Sequence, residues 1–136
     1  HPETNFFHFN VDLAQGPCVI KRLRGCGAGC EYVAITPEGD IYPCHQFVGN
    51  EDYKLGSLYD GTFDKELSGR FAGLNIYTRE ECRDCWARFY CSGGCSASNL
   101  LVNGDIKKPH RVGCELERKR LECAIALRAI AAGMAE

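Results

Sequence analysis

Apolar and polar residues alternate along Phe7-His8-Phe9-Asn10-Val11-Asp12-Leu13. That period of two predicts a half-buried strand, with His8 on its solvated side, broken by Gln15-Gly16-Pro17. So many exposed aromatics would need another sheet edge to pair with. The alternation returns in Glu31–Ile35 and Ile41–Pro43, on either side of the turn string Thr36-Pro37-Glu38-Gly39-Asp40. Together these predict a short hairpin, with Pro43 holding its second strand to an edge or an end. Lys54–Leu58 reads as a short extended piece. The period then lengthens. Phe63, Leu67, Phe71 and Leu74 recur at helical spacing behind a cap at Asp60 or Thr62. Thr78-Arg79-Glu80-Glu81 is spaced to cap a turn of helix entering Cys82. Ala97–Val102 is small and apolar, and Asn103-Gly104 marks a turn. A last helix opens at Cys114 and runs to about Ala132, where Gly133 stops it. Its stripe is Leu116, the Arg120 stem, Cys123, Leu127, Ile130 and Met134.

These elements predict a small, irregular α+β domain, a β-hairpin with a few helices. At 136 residues, 45% hydrophobic and 25% charged, the chain reads as one globular domain and as part of something larger. A net charge of -2 leaves no basic footprint for nucleic acid. No run approaches the roughly 20 apolar residues that span a membrane. His1-Pro2-Glu3-Thr4 shows no secretory signal. The expected setting is therefore a reducing cytoplasm.

Cysteine changes this picture most. Ten of the 136 residues are cysteine. Five disulfides are formally available, but the missing signal and the close spacings favour metal ligation. The densest stretch, Cys82 to Cys95, reads C-x2-C-x5-C-x3-C. Soft thiolates select zinc, copper(I) or iron–sulfur clusters. Gly93-Gly94 permits a tight left-handed turn that aims amides at sulfur. Trp86, Phe89 and Tyr90 either cover the site or pack as ordinary core. Upstream, Gly25-Cys26-Gly27-Ala28-Gly29-Cys30 is a loop able to wrap a ligand, and without a Lys-Ser/Thr ending it is no phosphate loop. The predicted hairpin returns Cys44 to its side. His1, His45 and His110 share no site-like spacing, and His45 is at most a neighbour of a ligand.

Cys123 fits a small buried hydrophobe on the last helix. Cys18 is the least clustered of the rest. Eight thiols remain, enough for two four-thiolate sites, either two zinc ions or two [4Fe-4S] cubanes. In ferredoxin-like strings the last cysteine of a tight run serves the other cluster. By that logic Cys26, Cys30, Cys44 and Cys95 form one set, and Cys82, Cys85, Cys91 and Cys114 the other.

Gly39 followed by four residues and Cys44, the C-x2-C-x5-C-x3-C run and the distant Cys114 resemble the SPASM domain. This is the auxiliary-cluster module of radical S-adenosylmethionine (radical SAM) peptide maturases. Gly25–Cys30 and Tyr42-Pro43-Cys44-His45-Gln46-Phe47 look most like the maturases that form thioether cross-links in SCIFF peptides, a sactipeptide chemistry. The resemblance implies two [4Fe-4S] clusters. Cys26 and/or Cys30 with Cys44 and Cys95 would hold the first, and Cys82, Cys85, Cys91 and Cys114 the second. The family pattern places nine to fifteen residues between its first cysteine and the glycine; Cys26 leaves twelve before Gly39 and Cys30 only eight. Without Cys30 or Cys18 the first cluster has an open iron. The resemblance further implies a cysteine-rich precursor peptide and an upstream radical SAM domain as partners. The motif C-x3-C-x2-C is absent, so S-adenosylmethionine and a third [4Fe-4S] cluster would belong to that upstream domain. Residues 1–17 would then be its connector and 18–136 the auxiliary domain. The alternative is a non-redox binding module with two four-cysteine zinc sites.

Overall fold

The computed structural model describes residues 6–16 and 18–133. Among these, the elements in chain order are α1 (Val19–Arg24), β1 (Ala34–Ile35), β2 (Asp40–Tyr42), β3 (Gly56–Ser57) and β4 (Thr62–Phe63). Then follow α2 (Lys65–Ala72), α3 (Glu80–Arg83), α4 (Arg88–Cys91), α5 (Ser96–Asn103) and α6 (Arg111–Ala131). The strands form an antiparallel meander in the order β1-β2-β3-β4. The architecture is small and α+β, as the residue pattern predicts.

The expected hairpin forms, with Ala34 opposite Tyr42 and Ile35 opposite Ile41. Its turn is closed by the Gly39 amide donating to the Thr36 carbonyl at 2.9 Å. Lys54 pairs with Asp40 at 2.7 Å across β2 and the segment before β3. Beneath the sheet, Phe47, Tyr53 and Phe71 meet at ring separations of 5.0, 5.4 and 6.1 Å. Such pairs contribute about 0.5–1.5 kcal/mol each beyond area burial. Ile41, Tyr42, Leu55, Leu67, Leu74, Ala97 and Ile106 complete the core, and Cys44 lies within it.

Gly29 ties the Cys26–Cys30 loop to this core. Its amide donates to Pro43 O at 2.9 Å and to Tyr32 O at 3.0 Å, and its carbonyl accepts from Ser68 Oγ at 2.7 Å. At φ +79°, a Cβ here would lie 2.8 Å from Phe71 Cγ. Only glycine allows this approach.

Four expectations need correction. Phe7–Leu13 is not a strand: Phe7–Phe9 is a 3₁₀ turn, closed by an edge-on stack of Phe6 on Phe9 at 4.8 Å. No sheet edge lies beside it among the described residues, and the segment packs on the end of α6 instead. The helix expected from Phe63 starts at Lys65, capped by Asp64, whose carboxylate accepts from Leu67 N at 2.8 Å. Thr62 and Phe63 pair as β4, where Thr62 Oγ1 accepts from Ser57 N, so neither Asp60 nor Thr62 caps. Thr78 does not cap α3 either. It closes a reciprocal turn with Asn75, accepting from Asn75 N at 3.0 Å and donating to Gly73 O at 2.9 Å.

The fourth correction concerns α6, which begins three residues before Cys114 and buries Leu121 and Ala124. Leu116, Leu127 and Ile130 of the expected stripe are exposed, and Cys123 is only half-buried. The cysteine-bearing side of the helix, not its most apolar one, faces the domain. His1, Pro17 and Met134 lie outside the described residues.

The Asp64 cap supports the helix under both the sheet and the Cys26–Cys30 loop. Asp64→Ala is expected to lower stability by about 1 kcal/mol and Asp64→Asn by far less, read from urea unfolding of the metal-loaded protein.

Candidate functional site

Ser92, Gly93 and Gly94 adopt φ of 59°, 85° and 72°, three left-handed residues in succession. This is the turn that the paired glycines predict, and Ser92 joins it at some cost. The turn reverses the chain between α4, which ends on Cys91, and α5, which starts after Cys95. Cys91 and Cys95 share the wall of one cavity of about 380 Å³ with Cys114, and Cys91 also lines a second that Cys95 does not reach.

On one side, Cys82, Cys85, Cys91 and Cys114 line a single cavity of about 420 Å³. Cys82 comes from α3, Cys85 from the segment after it, Cys91 from α4 and Cys114 from the first turns of α6. Burial pushes the Cys82 thiol up to about 11, opposed by the Arg79 cation, with the sulfurs of Cys91, Cys114 and Cys85 adding to the rise. Cys91 is raised chiefly by burial, against the amides of Gly93 and Gly94, which point at its sulfur. Burial also raises Cys114, against Arg118. Arg88, Lys108, Arg111 and Arg118 share the cavity wall with Glu81 and Glu117. The cationic side chains outnumber the acids, which suits a thiolate-rich anion.

α6 is held in place from beneath by Asn99, which is 1% exposed. Its Oδ1 accepts from His110 N at 2.9 Å, and its Nδ2 donates to Gly93 O and Ile106 O at 3.4 Å. One buried amide thus fixes the start of α6, and so Cys114, against the turn after Cys91.

On the other side lie Cys26, Cys44 and Cys95. The buried Cys44 thiol is raised by burial, countered by the amides of Gln46 and Phe47, and raised further by Cys95 and Cys26. The Tyr32 hydroxyl donates to Cys26 Sγ at 3.8 Å, and Gln46 Nε2 to Cys95 Sγ at 3.8 Å. Tyr32 is pushed up to about 12 by burial, then by Cys26, with Cys44 and Cys95 contributing. One phenol thus senses all three sulfurs. The Cys30 thiol donates to Gly27 O at 3.4 Å; after burial its strongest neighbours are Glu31 and Arg24, with Cys26, beside which it lines a small pocket, a lesser one. Cys18 is exposed at the start of α1, and His45 is exposed.

Among the described residues, no three His, Cys, Asp or Glu side chains converge on a point able to hold one metal ion. The thiols instead stand around the wall of a cavity. A cubane takes one thiolate at each of four separate irons, so the soft donors, the cavity and the inward amides fit such a group. Arg79, Tyr32, Gln46 and Asn99 are the contributors that sequence reasoning did not mark, since none of them carries a spacing signal. Trp86 and Phe89 are exposed at 52% and 37%, so neither packs as core. Asp84 and Arg83, within the cysteine-rich stretch, are exposed.

Residues 26–86 match the family model of SPASM, described as an iron–sulfur cluster-binding domain. The chain is 31% identical over 101 residues to an uncharacterized protein of Archaeoglobus fulgidus, covering 71% of this chain and 24% of that one. It is 28% identical over 102 residues to a PqqA peptide cyclase of Xanthomonas axonopodis pv. citri, covering 70% and 27%. With a mycofactocin maturase MftC of Mycobacterium ulcerans the identity is 31% over 111 residues, covering 77% and 29%. The chain thus spans about a quarter of the length of these relatives. No helix among the described residues is long and apolar enough to cross a membrane.

Thiols held protonated by burial must release protons to bind metal. Loading of the Cys82 cavity is therefore expected to tighten as pH rises toward about 11, with proton uptake by a weakly buffered medium measured during reconstitution. The sign for the metal-free fold is opposite. A raised thiol pKa gives a contribution to folding that is intact below the ordinary thiol value and lost as pH climbs to about 11. Urea midpoints of the stripped protein across that window check this.

Proposed function

We propose that this chain is the auxiliary-cluster domain of a radical SAM peptide maturase and binds two [4Fe-4S] clusters. The observation that carries the reading is the single cavity lined by Cys82, Cys85, Cys91 and Cys114, four thiols drawn from two distant segments. The SPASM match over residues 26–86 supports it, as does similarity to proteins named for peptide cyclisation and maturation. In this reading residues 1–17 connect to an upstream radical SAM domain. That domain supplies S-adenosylmethionine chemistry and a third [4Fe-4S] cluster, and the protein works in a reducing cytoplasm.

When bound, such clusters supply one-electron chemistry. The chain's own residues divide the labour between the two sites. Cys82, Cys85, Cys91 and Cys114 would hold the second cluster in a half-enclosed cavity where the Gly93 and Gly94 amides favour the Cys91 thiolate. Cys26, Cys44 and Cys95 would hold the first, with Tyr32 and Gln46 donating to ligand sulfurs. The hydrogen bond that engages the Cys30 thiol with Gly27 O favours three-cysteine ligation there, leaving one iron for a peptide thiol. Exposure of Cys26 and Cys95 gives a peptide access that the buried Cys82 does not offer. The substrate is then a cysteine-rich precursor peptide, and the product a thioether between its cysteine sulfur and a carbon of another residue.

Metal analysis of the anaerobically purified chain, with its absorption spectrum, tests this. About eight iron and eight sulfide per chain with broad charge-transfer absorption is the expected result, and Cys30→Ala is expected to retain both. About two zinc and no colour would replace the reading with a non-redox binding module holding two zinc ions, each on four cysteines. Chelation under reducing conditions is expected to lower the midpoint of the cooperative melt followed by circular dichroism, because site formation contributes folding free energy.

A further inference from the structure

Arg79 is 3% exposed, the only buried charged side chain among the described residues. A guanidinium keeps its proton in proteins, so a full positive charge sits inside a small domain. Its hydrogen bonds all go to neutral acceptors. Nη1 donates to Ile106 O at 2.9 Å and Lys107 O at 3.2 Å, and Nη2 to Ser96 Oγ at 3.1 Å. Nε is buried and meets no acceptor. No carboxylate lies within ion-pair distance among the described residues. The anionic groups that act on it most are the sulfurs of Cys82 and Cys91, ahead of the exposed Asp105 and Glu81. A buried charge without a partner costs several kcal/mol. The side chain is also wedged under the Ser92–Gly94 turn, where a Cβ on Gly93 would lie 2.7 Å from Arg79 Cδ and 2.8 Å from Nε.

Resting on the two-cluster reading, we propose that Arg79 is the buried counter-charge of the Cys82–Cys114 site: its cation offsets the thiolates and raises that site's reduction potential. Reduction adds negative charge, and a fixed cation in low dielectric favours the more negative state. Arg79 is a positioning residue as well as a charge. It bridges Ser96, next to Cys95, with the 106–107 segment that leads into α6. No sulfur of the first set is among the charges that act most on Arg79, so the first cluster serves as an internal control.

The test is a redox titration of the anaerobically reconstituted holoprotein, following both clusters by electron paramagnetic resonance. In Arg79→Met the potential of the second cluster is expected to move negative while that of the first holds. Arg79→Lys should move it less, and Ser96→Ala, which removes one clamp bond and no charge, should not move it. An unshifted second cluster in Arg79→Met, or equal shifts in both clusters, overturns the proposal. If Arg79→Met takes up too little iron to titrate, iron release to a chelator decides. A counter-charge predicts that Arg79→Lys holds iron close to wild type; a purely structural fork predicts that it fails like Arg79→Met. A wild-type protein that holds zinc instead of iron overturns the cluster reading alone, and zinc retention by the same two variants then decides the role of Arg79.

Discussion

Three left-handed residues between Cys91 and Cys95 are the constraint on which the rest depends. At φ of 59°, 85° and 72°, Ser92, Gly93 and Gly94 reverse the chain sharply between two cysteines. Such backbone is costly alone and persists where the surroundings over-determine it. Ser92 Oγ donates to Lys21 O at 2.6 Å, Asn99 donates to Gly93 O, and the Arg79 side chain packs beneath. Each of these holds the turn and links it to a different element. The Gly94 amide closes the reversal on the Cys91 carbonyl at 3.2 Å, and the Gly93 and Gly94 amides favour the thiolate form of Cys91.

Packing in this domain is uneven for a related reason. The apolar core is gathered under the meander and α2, around Phe47, Tyr53 and Phe71. The half made of α3, α4 and the start of α6 has little of it. Burial there falls on thiols, on Arg79 and on Asn99, groups that are stable inside a protein only when paired or hydrogen-bonded. A cavity lined by four thiols and four cations is a poor core and a good cradle for an anion. The metal-free domain should therefore be weakest where its cysteines are densest.

Much of the local structure was legible from residues alone. Alternation around Thr36–Asp40 predicted the hairpin, the glycines around Cys26 and Cys30 predicted a loop, and Gly93-Gly94 predicted the left-handed turn. These are short-range effects of period and φ, carried by the residues themselves. Where a reading failed, a distant partner decided instead. Phe7–Phe9 finds no strand to join among the described residues and curls against α6. Thr62 pairs as β4 and leaves the cap to Asp64. The apolar stripe of α6 gives way to a face chosen by Cys114 and Leu121.

The cysteine string by itself determined which donors the chain offers, soft thiols at close spacing, because residue type and spacing are written in the chain. Tertiary structure decided which sulfurs share a cavity, that Cys30 turns toward Gly27 and Arg24 rather than toward Cys44 and Cys95, and that Arg79, Asn99, Tyr32 and Gln46 surround them. Those four side chains act through hydrogen bonds and charge across 6 to 49 residues of separation. No local period encodes contacts of that kind; they exist only once the chain is closed.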